Sequence, residues 1–169
     1  MAPGSAAPID VRLRRTAEAD LDFVLALEHH PDQLPFIGQW TRDEHRDAIA
    51  REDREHWIIE RASDGMSLGY LISYDVRAAG YGIYIKRIAL AEKSRGVGRA
   101  ALRAFIDHAF RDLHAGSVCL AVWDHNLRAQ RAYAAVGFVD VPLTPAERAD
   151  ITATVDPFPP ECLVMRIAR

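Results

Sequence analysis

The chain has 169 residues, of which 49% are hydrophobic and 27% charged, and a net charge of −3. This is the size and balance of one globular domain with a core large enough to need no staples, and it excludes a disordered or collagen-like chain. No apolar run reaches the ~18 residues of a membrane span, and the lack of a basic excess speaks against a general nucleic-acid binder and weakly favours a cationic partner.

Met1 to Pro8 is small and Pro/Gly/Ser/Ala-rich, without the basic start and apolar centre of a signal peptide, and reads as a loose tail before one domain over residues 9–169. Ile9 to Arg15 alternates as a strand. Thr16 is placed to cap a helix that stops before Pro31, and the capping box Thr41-Arg-Asp-Glu44 starts a second helix, to about Asp53. The segment between, His29 to Trp40, is irregular and rich in aromatic and polar side chains. Strands are expected at Trp57–Arg61, Leu68–Val76 and Tyr81–Leu90, the first two joined by the Ser63-Asp64-Gly65 turn. A long helix carries Leu102, Phe105, Ile106, Ala109 and Leu113 on one stripe. Then come a strand over Ser117–Trp123, a helix over Asn126–Val136, and short strands at Phe138–Val141 and Leu163–Ile167. The order β–α–α–β–β–β–α–β–α–β–β predicts an α+β (α/β mixed) fold with helices covering a sheet. The connection from Val141 to Pro160 is Pro-rich and unusually long, which suits a lid, a dimer contact or disorder. Cys119 and Cys162 stand alone in apolar runs, outside any CxxC or Cys/His spacing. That predicts two free thiols in a reducing cytoplasm and no metal site.

Three features carry chemistry. Ile83 and Ile85 share one strand parity, whereas Ile88 and Leu90 share the other. One extra residue at Lys86-Arg87 produces such a slip, so a β-bulge is predicted there; burial of both faces is the alternative. Arg95-Gly96-Val97-Gly98-Arg99-Ala100 then opens the long helix, and a helix N-terminus with small residues offers backbone N–H groups and partial positive charge to a phosphate. Gly96, Gly98 and Ala101 also fit G-x-G-x-x-A of a dinucleotide site. Against that stand the five residues between Leu90 and Gly96, the short turns that imply antiparallel hairpins, and the lack of chain for a second nucleotide-binding half. The third feature is Asn126, with Tyr133 two turns along the same helix face and Gly137-Phe138 closing it. Taken singly, Asn126 is a helix cap and Tyr133 a packing residue.

Jointly, Arg95, Gly98 and Ala100 with Asn126, Ala129, Tyr133 and Gly137-Phe138 resemble the fingerprint of the GNAT superfamily of acyl-CoA-dependent N-acyltransferases. The resemblance is strong over Ile83 to Phe138, and Arg14 to Leu27 looks like the ribosomal-protein and polyamine acetyltransferase branches. It implies a mostly antiparallel twisted sheet of about seven strands with a splayed pair, flanked by four helices. It implies a cytoplasmic enzyme, monomer or homodimer, moving an acetyl group from acetyl-CoA to a primary amine (small molecule, polyamine or protein N-terminus). By resemblance, Arg95, Gly96, Val97, Gly98, Arg99 and Ala100 hold the pyrophosphate. Ile88, Ala89 and Leu90 pair with the pantetheine, Asn126 bonds its arm, and Tyr133 protonates the departing thiolate. The acceptor side falls to the segment with Glu28, His29, Phe36 and Trp40. Relatives with a glutamate on the bulged strand use it as base; here Lys86 and Arg87 stand there, which leaves Glu28, His29, His30, His45 or a water chain as candidates. The missing carboxylate also fits a non-catalytic acyl-CoA-binding domain on the same fold.

Overall fold

The computed structural model describes residues 9–77, 82–93, 96–146 and 161–169. The expected tail, Ser94-Arg95 and most of the long connection, from residue 147 to 160, lie outside these. The alternation read for the first strand becomes β1 (Val11–Arg15). It pairs antiparallel with β2 (Arg54–Arg61), which pairs with β3 (Ser67–Tyr74), and β3 with β4 (Ile83–Leu90). β5 (Ser117–Trp123) joins β4 in parallel and β7 (Cys162–Ala168) antiparallel, and the two-residue β6 (Val139–Asp140) lies on the edge, giving seven strands in the order β1-β2-β3-β4-β5-β7-β6.

Four helices flank this sheet: α1 (Leu21–Glu28), α2 (Arg42–Ala50), α3 (Val97–Arg111) and α4 (Leu127–Ala134). The apolar stripe of α3 packs Leu102, Phe105 and Ala109 on one face of the sheet against Leu71, Ile83, Ile85, Val118 and Leu120. On the other face Val24 and Leu27 of α1 pack with Ile58, Tyr70, Ile72, Tyr84 and Ala89. The central strands are therefore buried on both sides, which explains their near-continuous apolar runs. The predicted capping box is formed: Glu44 N donates to Thr41 Oγ1 and Thr41 N donates to Glu44 Oε2.

Three expectations are corrected. Thr16 caps no helix. It is buried, with its hydroxyl 2.8 Å from His56 Nδ1, and the chain enters α1 through a 3-10 turn (Glu18–Asp20) held by Asp20 on the Ala17 N–H. The second helix stops at Ala50 rather than Asp53, and β2 begins at Arg54 rather than Trp57. Glu55 and His56 look like surface residues in sequence, but both are buried with partners, so their polarity disguises a strand.

A buried polar cluster ties the α1–α2 layer to the sheet. Glu28, at the end of α1, accepts from Tyr70 OH and from Arg87 Nη1, each at 2.5 Å, and from the Trp40 N–H at 2.9 Å. His45 Nε2 stands 3.3 Å from the same carboxylate, and His45 Nδ1 lies 3.0 Å from His56 Nε2. Burial pushes the Glu28 carboxyl up, but His45, the Arg87 charge, the Trp40 N–H and Tyr70 outweigh it and hold it at about 2. Burial, followed by the neighbouring His45, pushes His56 down to about 3. With His56 neutral the contacts run in one direction: Thr16 O–H donates to His56 Nδ1 and His56 Nε2–H donates to His45 Nδ1, while His45 Nε2 is turned toward the anionic Glu28.

Across the sheet, His108 bonds Glu55 and Asp112, and the Glu55 bond chiefly raises its pKa. Linkage fixes the sign of each effect. The depressed His56 contributes stability that is complete above about pH 6.5 and is lost as pH falls toward 3. The raised His108 contributes stability that is complete below about 6.5 and is lost as pH rises through its folded pKa. Thermal unfolding followed against pH should therefore peak near neutrality and fall on the acid side from about pH 6.5. His56→Gln should flatten the acid limb while lowering stability at pH 7 by about 1–3 kcal/mol; an unchanged acid limb would overturn the buried, neutral His56.

Candidate active site

The site begins with the register of β4. Ile72 pairs with Arg87 and Ser73 pairs with Ile85, so Lys86 is the extra residue and the predicted bulge is present. On its other side β4 pairs with β5 only through Ile83↔Val118, Tyr84↔Cys119 and Ile85↔Leu120. Beyond the bulge the two strands diverge. The alternation of an antiparallel ladder turns the backbone groups of Arg87 and Ala89 toward β3, which leaves those of Ile88 and Leu90 facing the gap.

The gap is a cleft of about 620 Å³. One wall is Ile85 to Ile88 and Leu90; the other is Leu120 to Trp123 with Asn126, Ala129 and Tyr133; the segment from Phe36 to Trp40 leans over both. Gly98 and Leu102 place the first turns of α3 at the same opening. Gly96 caps α3 with φ 80, a left-handed conformation that favours glycine, and a side chain there would meet nothing within 4 Å. Gly98 is small for a different reason, since a Cβ would stand 3.0 Å from Leu90 Cδ1. Ala100 N already bonds Gly96 O, so the first-turn donors without a helical acceptor are those of Val97, Gly98 and Arg99. These N–H groups, at the positive end of a 15-residue helix whose first turn lines the cleft through Gly98, fit a phosphate. Ala100 is thereby withdrawn as a backbone donor, and Arg95 lies outside the described residues.

Asn126 caps α4, with Oδ1 accepting from Ala129 N at 3.2 Å, which leaves its Nδ2 for the cleft. Tyr133 sits in the last turn of α4, lines the cleft and packs on Phe138 with ring centroids 5.9 Å apart. Burial pushes its hydroxyl up to about 12, so it is a protonated phenol at neutral pH. Asn126 and Tyr133 thus each play the structural part that sequence allows and also face the same cleft.

On the acceptor side the structure brings Phe36 and Trp40 to the cleft and leaves Glu28 and His29 out of its lining. Glu28 is wholly buried under Trp40, and His29 is exposed with Nδ1 2.7 Å from Leu25 O. A carboxylate held at about 2 has too little basicity to take an ammonium proton, so Glu28 is a positioning residue. His45 is buried in the same cluster, His30 is exposed, and no Asp, Glu or His occurs among the described lining residues.

Two residues escaped the sequence reading as parts of the site. Arg87 stacks its guanidinium 4.6 Å from the centroid of Trp40 while bonding Glu28. Gln33 is buried in an irregular segment and donates from Nε2 to Leu90 O at 2.9 Å. Arg87 is legible in part as a cation on the bulged strand, whereas nothing in sequence marks Gln33. Together they hang the acceptor wall on β4.

The comparisons agree with this geometry. Residues 10–139 match the family described as acetyltransferase (GNAT) domain. Among solved structures, spermidine N-acetyltransferase from Vibrio cholerae in complex with CoA and spermine is similar with a TM-score of 0.75 at 18% identity, over 94% of this chain and 95% of that one. AAC(6')-Ib in complex with paromomycin and acetyl-CoA is similar with a TM-score of 0.73 at 21% identity, over 95% and 94%. A domain from Methanocaldococcus jannaschii DSM 2661 gives 0.73 at 14%, over 95% and 99%. At these identities the likeness is one of fold. No curated protein sequence matches. On the family match over most of its length, the chain belongs to the GNAT acetyltransferases.

Proposed function

We propose that the protein transfers the acetyl group of acetyl-CoA to a primary amine by direct attack, with both substrates bound together. The observation that carries this reading is the cleft itself: strands parted by a bulge, unpaired α3 N–H groups at its open end, and Tyr133 on its wall. The co-substrate supplies an activated acyl thioester. Val97, Gly98 and Arg99 N–H groups bind its pyrophosphate, and the backbone groups of Ile88 with the Leu90 N–H, the Leu90 carbonyl being held by Gln33, orient the arm as an added strand. The Ile88 N–H is placed to stabilise negative charge on a carbonyl oxygen under attack. Tyr133 holds a proton for a departing thiolate; a free thiol has a pKa of about 8.5, and burial raises thiol and phenol alike.

Spermidine and aminoglycosides, named for two of the similar structures, are polycations. A polycation calls for carboxylates, and the described lining has none. The reading therefore stops at a primary amine. The same lack of a base favours one second reading, a non-catalytic acyl-CoA-binding domain.

Acetyl-CoA and CoA, but not NADH, should each raise the unfolding temperature by several degrees, since a ligand at 100 times its Kd contributes about 2.7 kcal/mol. No shift with either CoA form would overturn both readings. A panel of amines then separates them, because the binding domain would stabilise without turnover. Tyr133→Phe should lower kcat by on the order of 100-fold with little change in acetyl-CoA affinity; a loss of stability at unchanged kcat would reduce it to packing. With no Asp, Glu or His among the described lining residues, the neutral fraction of the amine sets the rate. The kcat/KM for the acceptor should then rise about tenfold per pH unit toward the amine pKa near 10. A plateau already at pH 7 would reveal a base.

A further inference from the structure

The cleft has an open end and a closed end. It opens at the carboxyl ends of β4 and β5, where Gly98 stands against Leu90, and closes where the strands meet at Ile85↔Leu120. Tyr84, one residue before Ile85, is buried and lines this closed end. The Tyr84 hydroxyl lies beside the backbone of Ala121, just past the last paired residue of β5, where the two strands begin to part. Tyr133 and Cys162 line the same cleft. The Tyr84 ring is further fixed by the apolar cluster of Val24, Ile72, Tyr74 and Ala89 on the α1 side.

We infer that Tyr84 is the stop at the end of the acyl channel and restricts the transferred group to a short chain. The inference rests on the acyl-CoA reading. An arm anchored at the α3 N-terminus enters at the open end and carries its acyl group toward the apex, where a longer chain meets the buried, packed ring of Tyr84. A close-packed wall of this kind discriminates by roughly 10–200-fold per methylene.

The test is calorimetric binding of acetyl-, propionyl- and butyryl-CoA to the whole protein, which needs no acceptor. The wild-type protein should bind acetyl-CoA at least about tenfold more tightly than butyryl-CoA. Tyr84→Leu and Tyr84→Ala should bring butyryl-CoA to within about threefold of acetyl-CoA, with Tyr84→Leu retaining an apolar strand residue should the alanine variant unfold. Tyr84→Phe keeps the ring and should keep the wild-type preference. Equal binding of acetyl- and butyryl-CoA by the wild-type protein would overturn the inference. So would an unmoved preference in Tyr84→Leu, or a Tyr84→Phe effect as large as that of Tyr84→Leu. In these cases acetyl-CoA still binds and the functional reading stands; binding of no thioester at all would overturn both.

Discussion

Everything at the site depends on one inserted residue. Lys86 is the extra residue in the β3–β4 register, and that single insertion shifts the register of β4 and bends it away from β5 just after their third paired residue. A sheet whose ladder is complete has no edge to offer in its middle. Here the bulge makes an interior edge, with the backbone groups of Ile88 and Leu90 turned to a cleft. The same parallel arrangement sets the cleft's polarity: β4 leads directly toward the start of α3, so the helix donors and the free strand edge face one opening.

The second constraint is the cost of burying charge. Arg87 and Glu28 are both withdrawn from water in the layer beneath the cleft. A lone buried ion is strongly destabilising, and a pair is tolerated only with its remaining hydrogen bonds satisfied. The protein meets this with Tyr70, the Trp40 N–H, and the histidines that face the carboxylate from α2 and β2. Trp40 is fixed as a by-product: its backbone is held by Glu28, one ring face by Arg87 and its edge by His45.

What was legible in sequence follows from where the signal is local. The parity slip between Ile85 and Ile88, the Thr41–Glu44 box and the Gly96–Gly98 helix start each depend on residues a few positions apart, and each is present in the structure. Long-range polar contacts leave no such trace. Thr16, Glu28, His45 and His56 read as a helix cap, two candidate bases and a polar residue, because their partners lie up to 59 residues away. The early start of β2 was hidden for the same reason: burial of Glu55 and His56 is decided by Arg15, His108 and Thr16, not by their neighbours in the chain.

The attachment of the segment over residues 29–40 to β4 bears on how this protein could be diversified. The segment over residues 29–40 looks like an exchangeable loop, yet Gln33 grips Leu90, Gly38 leaves only 3.1 Å for a Cβ beside Arg87, and Trp40 shares Glu28 with that arginine. A transplanted loop that did not cover the Arg87–Glu28 pair would expose or orphan a buried ion, at a cost of several kcal/mol. The loop and the strand are one heritable unit. Recombination that cuts between them breaks the unit, so change in the loop has to keep step with change in the strand.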